Sequence, residues 1–140
     1  MEDTATFEFP EGLFGFPSLK RYAVESIPGG GDVLKQMVSV DDPDIAFTIV
    51  FPFAFFPDYA PDISEEDLKS VEAESAEQVL LYVIANVPQR FQETTVNLRA
   101  PLIFNPFTRK ARQVILAEDR YKSRERLFQV QQSAPQRRTL

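Results

Sequence analysis

The chain has 140 residues, 44% of them hydrophobic and 26% charged, which is enough apolar material for a core of its own and too hydrophobic for a disordered chain. It contains no histidine and no cysteine, so the commonest general base, the thiol nucleophile, disulfides and the usual ligands of zinc, copper and haem are all excluded. The formal net charge of −6 is unevenly spread: residues 1–98 carry five Lys or Arg against eighteen Asp or Glu, and residues 99–140 carry ten against three.

In chain order, Thr4 to Phe9 alternates like a strand and ends at Pro10 and Gly12. Arg21 to Ser26 is a second short strand, and Ile27 to Asp32 (IPGGGD) is a loop. Val33 to Val40 reads as strand, and Asp41-Asp42-Pro43-Asp44 as a turn, because Asp side chains bond nearby amides and Pro presets φ. Ile45 to Phe51 is a buried strand with Phe47, Ile49 and Phe51 on one face and Ala46, Thr48 and Val50 on the other.

The next stretch, FPFAFFPDYAP at 51–61, packs five aromatic rings and three prolines into eleven residues. Pro52 removes a ladder donor and so marks a strand end. Past it, Phe53, Phe55, Phe56 and Tyr59 fall in an irregular segment where burying all four rings is difficult, and they are expected to supply an exposed apolar patch of the kind that binds partners. Ser64-Glu65-Glu66-Asp67 places a capping hydroxyl ahead of three acids and predicts a helix over 64–71. Residues 58–78 hold eight acids and one Lys, a strongly negative solvated face.

Val79 to Val87 is apolar on both faces, which suits a central strand covered on both sides. Strands at Thr94 to Leu98, Leu102 to Asn105 and Ala111 to Ala117 follow; Arg120 to Phe128 forms a charged turn or helix, and Gln129 to Leu140 a loose tail. Seven or eight short strands, one helix and no βαβ rhythm predict an all-β, mostly antiparallel single domain, 1–128, curled into a barrel or sandwich.

None of the chemical motifs is convincing. Gly29-Gly30-Gly31 lacks the Lys-Ser/Thr of a phosphate loop, and the acids from Asp42 onward meet Phe47 and Phe53 where a calcium loop wants Gly and Glu. Adjacent Glu65 and Glu66 do not face each other on a helix. No enzyme activity, cofactor or metal is expected. Arg109, Lys110, Arg112, Arg120, Lys122, Arg124 and Arg126 are numerous enough for phosphate contacts, yet the acidic remainder of the chain repels a polyanion, so internal neutralisation is the expected use. No apolar run reaches the eighteen or so residues of a membrane span, and the acidic N-terminus lacks the order of a signal peptide. A cytoplasmic protein without membrane contact is expected.

Several separated blocks resemble the flagellar assembly factor FliW family: GLFGF at 12–16 with Lys20-Arg21-Tyr22 after it, SVDDPDIAF at 39–47, PFAFFPDY at 52–59, TVNLRAP at 95–101 and RQVIL at 112–116. The likeness spans about Phe7 to Arg126. Val38 stands where the family commonly has Gln. The resemblance implies a β-barrel-like fold, no enzymatic activity, and two protein partners, flagellin and the translational regulator CsrA, bound by a chain that is monomeric when free. Phe53, Phe55, Phe56, Asp58, Tyr59, Asp62, Glu65 and Glu66 are the expected partner-binding residues, since an apolar patch rimmed by acids suits an amphipathic segment and a basic protein. The alternative is an oligonucleotide-binding barrel that stacks bases on these rings and uses the basic final third for phosphate.

Overall fold

The computed structural model describes residues 4–128. The expected tail, 129–140, lies outside the described residues. Strands β1 (Thr4–Glu8), β2 (Arg21–Ser26), β3 (Leu34–Ser39) and β4 (Ala46–Val50) pair antiparallel in succession. Strand β5 (Leu80–Asn86) pairs with β4 on one edge and with β7 (Leu102–Asn105) on the other, and β7 pairs with β8 (Lys110–Gln113). A single parallel bridge from Glu8 to Lys110 joins β8 to β1 and closes a seven-stranded barrel. Two short strands, β6 (Thr95–Val96) and β9 (Glu125–Arg126), extend outward from the second half of β5. The one α-helix of the described residues, α1 (Glu65–Ser70), lies between β4 and β5 in sequence. None of these helices is long and apolar enough to cross a membrane.

Alternation along the strands builds two cores, one on each side of the barrel wall. Inside are Phe7, Phe9, Tyr22, Met37, Ile49, Tyr82, Leu102, Phe104 and Ala111, at least one from every barrel strand. Outside, Val50, Leu81, Val83 and Ile103 form an apolar patch on β4, β5 and β7, covered by Tyr59, Leu68, Val71, Leu98 and Leu127. Strand β5 is thus buried on both faces over residues 81–85, as its sequence predicts, while Leu80 and Val87 toward the ends of the expected span are exposed. In β4 the split also follows the alternation, with Phe47, Ile49 and Phe51 against the inner core and Val50 in the outer one. Ile49 and Val50 are fully buried, whereas Phe47 and Phe51 are half-buried at the ends of the strand.

Helix α1 starts as its sequence dictates: Ser64 Oγ accepts a hydrogen bond from the Asp67 amide at 3.1 Å, and Glu65, Glu66 and Asp67 occupy the first turn. Its buried end is pinned to the barrel by Asn105, a buried amide at the end of β7. Asn105 Nδ2 donates to the Val71 carbonyl at 2.9 Å, and the Thr108 hydroxyl donates to the same oxygen at 3.0 Å. Two strands are shorter than expected, the one over 94–98 being reduced to Thr95–Val96. The strand expected over 111–117 ends at Gln113, although the Val114 and Leu116 amides still bond Pro101 and Arg99. Of the turn or helix expected over 120–128 the turn forms; the Lys122 carbonyl accepts from the Leu98 amide, Leu127 donates to Thr94, and β9 forms between these tethers.

The end of the barrel away from Thr4 is plugged by the loop after β1. Leu13 is buried in the inner core and Phe16 stands edge-on to Phe47 at 5.6 Å. Gly12 makes this turn possible: its φ is +68°, and a Cβ there would lie 2.6 Å from the Pro17 carbonyl oxygen. Gly29 also has positive φ, but a Cβ there meets open space. We expect Gly29→Ala to cost about 1 to 3 kcal/mol from backbone strain alone, and Gly12→Ala to cost distinctly more; urea midpoints of the two variants measure the difference.

Tyr59 gives a second test. Its hydroxyl donates to the Leu98 carbonyl at 2.7 Å, tying the segment after β4 to the one after β6. Burial raises its pKa well above the ordinary value of 10, helped by nearby Tyr121 and Glu118, so folding favours the neutral phenol. That contribution is complete below pH 10 and is lost as pH rises beyond it. Tyr59→Phe should therefore be less stable than the parent at pH 7 by about 1 kcal/mol, with the gap narrowing above pH 10. Denaturant midpoints across this range report it.

Candidate functional site

Pro52 has no amide hydrogen with which to extend the β4 ladder, and the chain turns there into a single 3₁₀ turn, Pro52–Ala54. The Phe55 and Phe56 amides both donate to the Pro52 carbonyl, at 3.0 and 2.8 Å. The turn carries the aromatic segment across the outer core instead of out into solvent. Phe53 packs between Phe51 and Tyr59, with ring centroids 5.3 and 5.7 Å away, and Tyr59 meets Tyr121 edge-on at 4.8 Å.

A groove of about 390 Å³ opens beside this segment, lined by Phe55, Phe56, Pro57, Asp58, Tyr59, Leu98, Arg120, Tyr121 and Glu125. One wall is the aromatic segment and the other is the connection into β9. The walls are stitched together by the Tyr121 hydroxyl, which accepts from the Ala60 amide at 3.0 Å, and by Arg120, which donates to the Ala60 carbonyl at 3.3 Å. The Arg120 guanidinium also lies 4.8 Å from the Tyr121 ring centroid. An aromatic strip leads away from the groove: Phe55 contacts Phe128 edge-on at 6.2 Å, and Phe128 contacts Phe91 at 5.1 Å. Phe91 is 54% exposed.

Of the residues expected to bind partners, Phe55, Phe56, Asp58 and Tyr59 line the groove and Phe53 lies behind it. Asp62, Glu65 and Glu66 are exposed just before and within the first turn of α1, without lining the groove. Of the rings past Pro52, some of which are expected in an exposed patch, Tyr59 takes no part and the other three are exposed only in part. Tyr59 is only 5% exposed and belongs to the core, and Phe53, Phe55 and Phe56 are half-buried, because the outer face of β4, β5 and β7 is itself apolar and requires a cover. Sequence reading missed Phe91, Arg120, Tyr121 and Phe128. The one available signal was the presence of two large rings, Tyr121 and Phe128, inside an otherwise charged segment.

Charges around the barrel are only partly neutralised internally. Lys110 binds Glu8 at 3.0 Å and Arg112 binds Asp67 at 3.2 Å, so these two basic residues of the final third do meet acids from the long acidic part of the chain. Arg99 and Arg120 pair instead with acids of the same final third, Asp119 and Glu118. Arg109, Lys122, Arg124 and Arg126 take no ion pair among the described residues.

Comparison with known proteins identifies the family. The model of the FliW protein family matches residues 1–127. A flagellar assembly factor FliW of Symbiobacterium thermophilum is 68% identical over 123 residues, covering 88% of this chain and 89% of the relative. One of Syntrophomonas wolfei is 36% identical over 135 residues, covering 96% and 86%. Among solved structures, a crystal structure of the flagellar assembly factor FliW superposes with a TM-score of 0.82 at 32% identity, covering 88% of this chain and 85% of the other. A match this complete, on a barrel whose quoted sequence blocks form the turn at Gly12, the end of β4 and the groove itself, means that the chain belongs to the FliW family.

Proposed function

We propose that the chain is a non-enzymatic flagellar assembly factor of the cytoplasm that binds flagellin and antagonises CsrA, coupling flagellin synthesis to assembly. The observation that carries the reading is the groove at Phe55, Phe56 and Tyr121, where half-buried rings sit on a prestiffened, proline-bounded segment with charged residues at the rim. Such a groove suits the apolar face of an amphipathic segment, since the rings lose little freedom on binding. The exposed acids Asp62, Glu65 and Glu66 lie close by in sequence on the approach to α1 and favour a basic partner such as CsrA through long-range attraction.

The feedback role requires the two ligands to oppose each other, by overlap or by conformational coupling. Titrating flagellin into a preformed complex with CsrA should release CsrA, followed by size-exclusion chromatography; a stable ternary complex with both affinities unchanged removes the mechanism. Phe55→Ala and Phe56→Ala should each weaken flagellin or CsrA binding by about 1 kcal/mol or more while leaving the melting temperature nearly unchanged, whereas Tyr59→Ala should lose stability first. CsrA association should slow between about 50 and 500 mM salt, and charge reversal at Asp62, Glu65 and Glu66 should act in the same direction. The oligonucleotide-binding reading is tested alongside by a single-strand shift assay. It is the weaker one because Lys110, Arg112 and Arg120 are already paired with carboxylates.

A further inference from the structure

The barrel is incompletely sealed where β1 meets β8. In the β1–β2 pairing the Phe9 amide donates to Lys20 at 2.6 Å, so the backbone groups of alternate residues Phe7 and Ala5 also face β2. Those of Glu8, Thr6 and Thr4 face the other way. The Glu8 amide finds Arg109 there at 2.8 Å, but β8 begins only at Lys110, and no strand of the described residues is registered beside Thr6 or Thr4. Both residues are exposed. A row of unpaired strand donors and acceptors is a template for another strand, and folded proteins normally cover or blunt it.

Directly at this edge the barrel mouth opens into a cavity of about 420 Å³, with Ala5, Phe7, Val24, Ile49 and Phe104 among its lining residues. Leu80, also in the lining, is 49% exposed although it continues the inward face of β5. Two cations stand at the mouth. Arg109 holds its guanidinium 5.4 Å from the Phe7 ring centroid, on a left-handed residue with φ of +63°. Lys35 has a side chain only 21% exposed, and its nearest carboxylate is that of Asp32 at 3.8 Å, itself 99% exposed.

We infer that this edge is a second recognition site, which takes an extended peptide segment of another protein as an added strand next to Thr4 and Thr6. Paired residues in a sheet share a face, so incoming residues opposite Ala5 and Phe7 turn their side chains into the apolar mouth, and the residue between them faces outward. The segment recognised is therefore apolar at alternate positions, with a carboxylate two residues beyond the apolar pair, on the same face, to meet Arg109 and Lys35. With Asp32 as the one carboxylate in the lining, Arg109 and Lys35 leave the mouth with a net positive charge in a chain of net charge −6, which sets the charge of the partner. The site is separate from the aromatic groove, with no lining residue in common, and stands or falls independently of the flagellin and CsrA reading.

The test uses the full chain and a blocked seven-residue peptide, Thr-Leu-Thr-Leu-Thr-Glu-Thr, whose glutamate falls on the same face as its two leucines. Amide hydrogen exchange is followed by NMR with the peptide in millimolar excess. Exchange at Thr4 and Thr6 should slow by about tenfold or more, with shifts at Ala5, Phe7 and Phe104. Thr6→Pro removes an edge donor without touching the β2 ladder and should abolish the effect. Should that variant fold poorly, a peptide N-methylated on alternate amides, offered to the unaltered protein, makes the same cut. Exchanging the peptide glutamate for glutamine, or Arg109→Asn, which tolerates positive φ, should weaken binding by about tenfold. Absence of binding at millimolar peptide overturns the proposal. So does binding that leaves Thr6 exchange unchanged or survives N-methylation, since the cavity alone then acts. Affinity indifferent to the glutamate overturns the acidic class of partner, and Thr6 protection that grows with protein concentration alone assigns the edge to a second copy of this chain.

Discussion

The structure depends on the pairing of β4 with β5. Three residue pairs, Thr48 with Ala85, Ile49 with Ile84 and Val50 with Val83, connect the first half of the chain to the second and close the barrel across more than thirty intervening residues. Both strands are apolar on both faces at this point, so one contact builds the inner core through Ile49 and the outer core through Val50 and Val83. Full burial of each such side chain is worth roughly 1.5 to 3 kcal/mol, and here the same backbone ladder serves both sides. The seal at the opposite seam, between β1 and β8, is a single bridge. The barrel is thus held by a continuous ladder at β4 and β5 and by one bridge at β1 and β8.

The outer core explains the placement of the functional features. An apolar patch outside a barrel has to be covered, and the chain between β4 and β5 does this with the aromatic segment and then α1, while the chain after β8 returns with Tyr121 and Leu127. Covering with rings leaves edges. Phe55 and Phe56 are held on one side by the core and remain partly open on the other, and the cleft between the two covering segments is the groove. Hydrogen bonds at Ala60 and Leu98 fix the width of that cleft, which is why Tyr59 and Tyr121 belong to its architecture although neither offers a fully exposed face.

Charge follows a different logic from packing. The acids of the first turn of α1 are placed by local capping and dipole effects, and only Asp67 is drawn into a tertiary ion pair, with Arg112. Asp62, Glu65 and Glu66 remain exposed, which preserves a negative field without any cost of burial. The opposite sign collects at the barrel mouth through Arg109 and Lys35, brought together from β3 and the β7–β8 turn.

Sequence by itself determined the strand alternation, the cap at Ser64, the break at Pro52 and the two-faced burial at the centre of β5, residues 81–85, because each rests on local stereochemistry or on a period of two. It also carried the family blocks from Gly12 to Leu116. Local pattern could not tell whether Phe53 to Tyr59 faces solvent or a second core, since the apolar surface beneath them comes from β5 and β7, some thirty to fifty residues further along the chain. The same limit hid Phe91, Arg120, Tyr121 and Phe128, which look unremarkable in a charged segment until β9 pairs with β6 and lays them beside the aromatic turn. Only the tertiary structure decided the barrel closure, the groove and the open edge at Thr4 and Thr6, because all three are set by which distant strands meet and where one of them stops short.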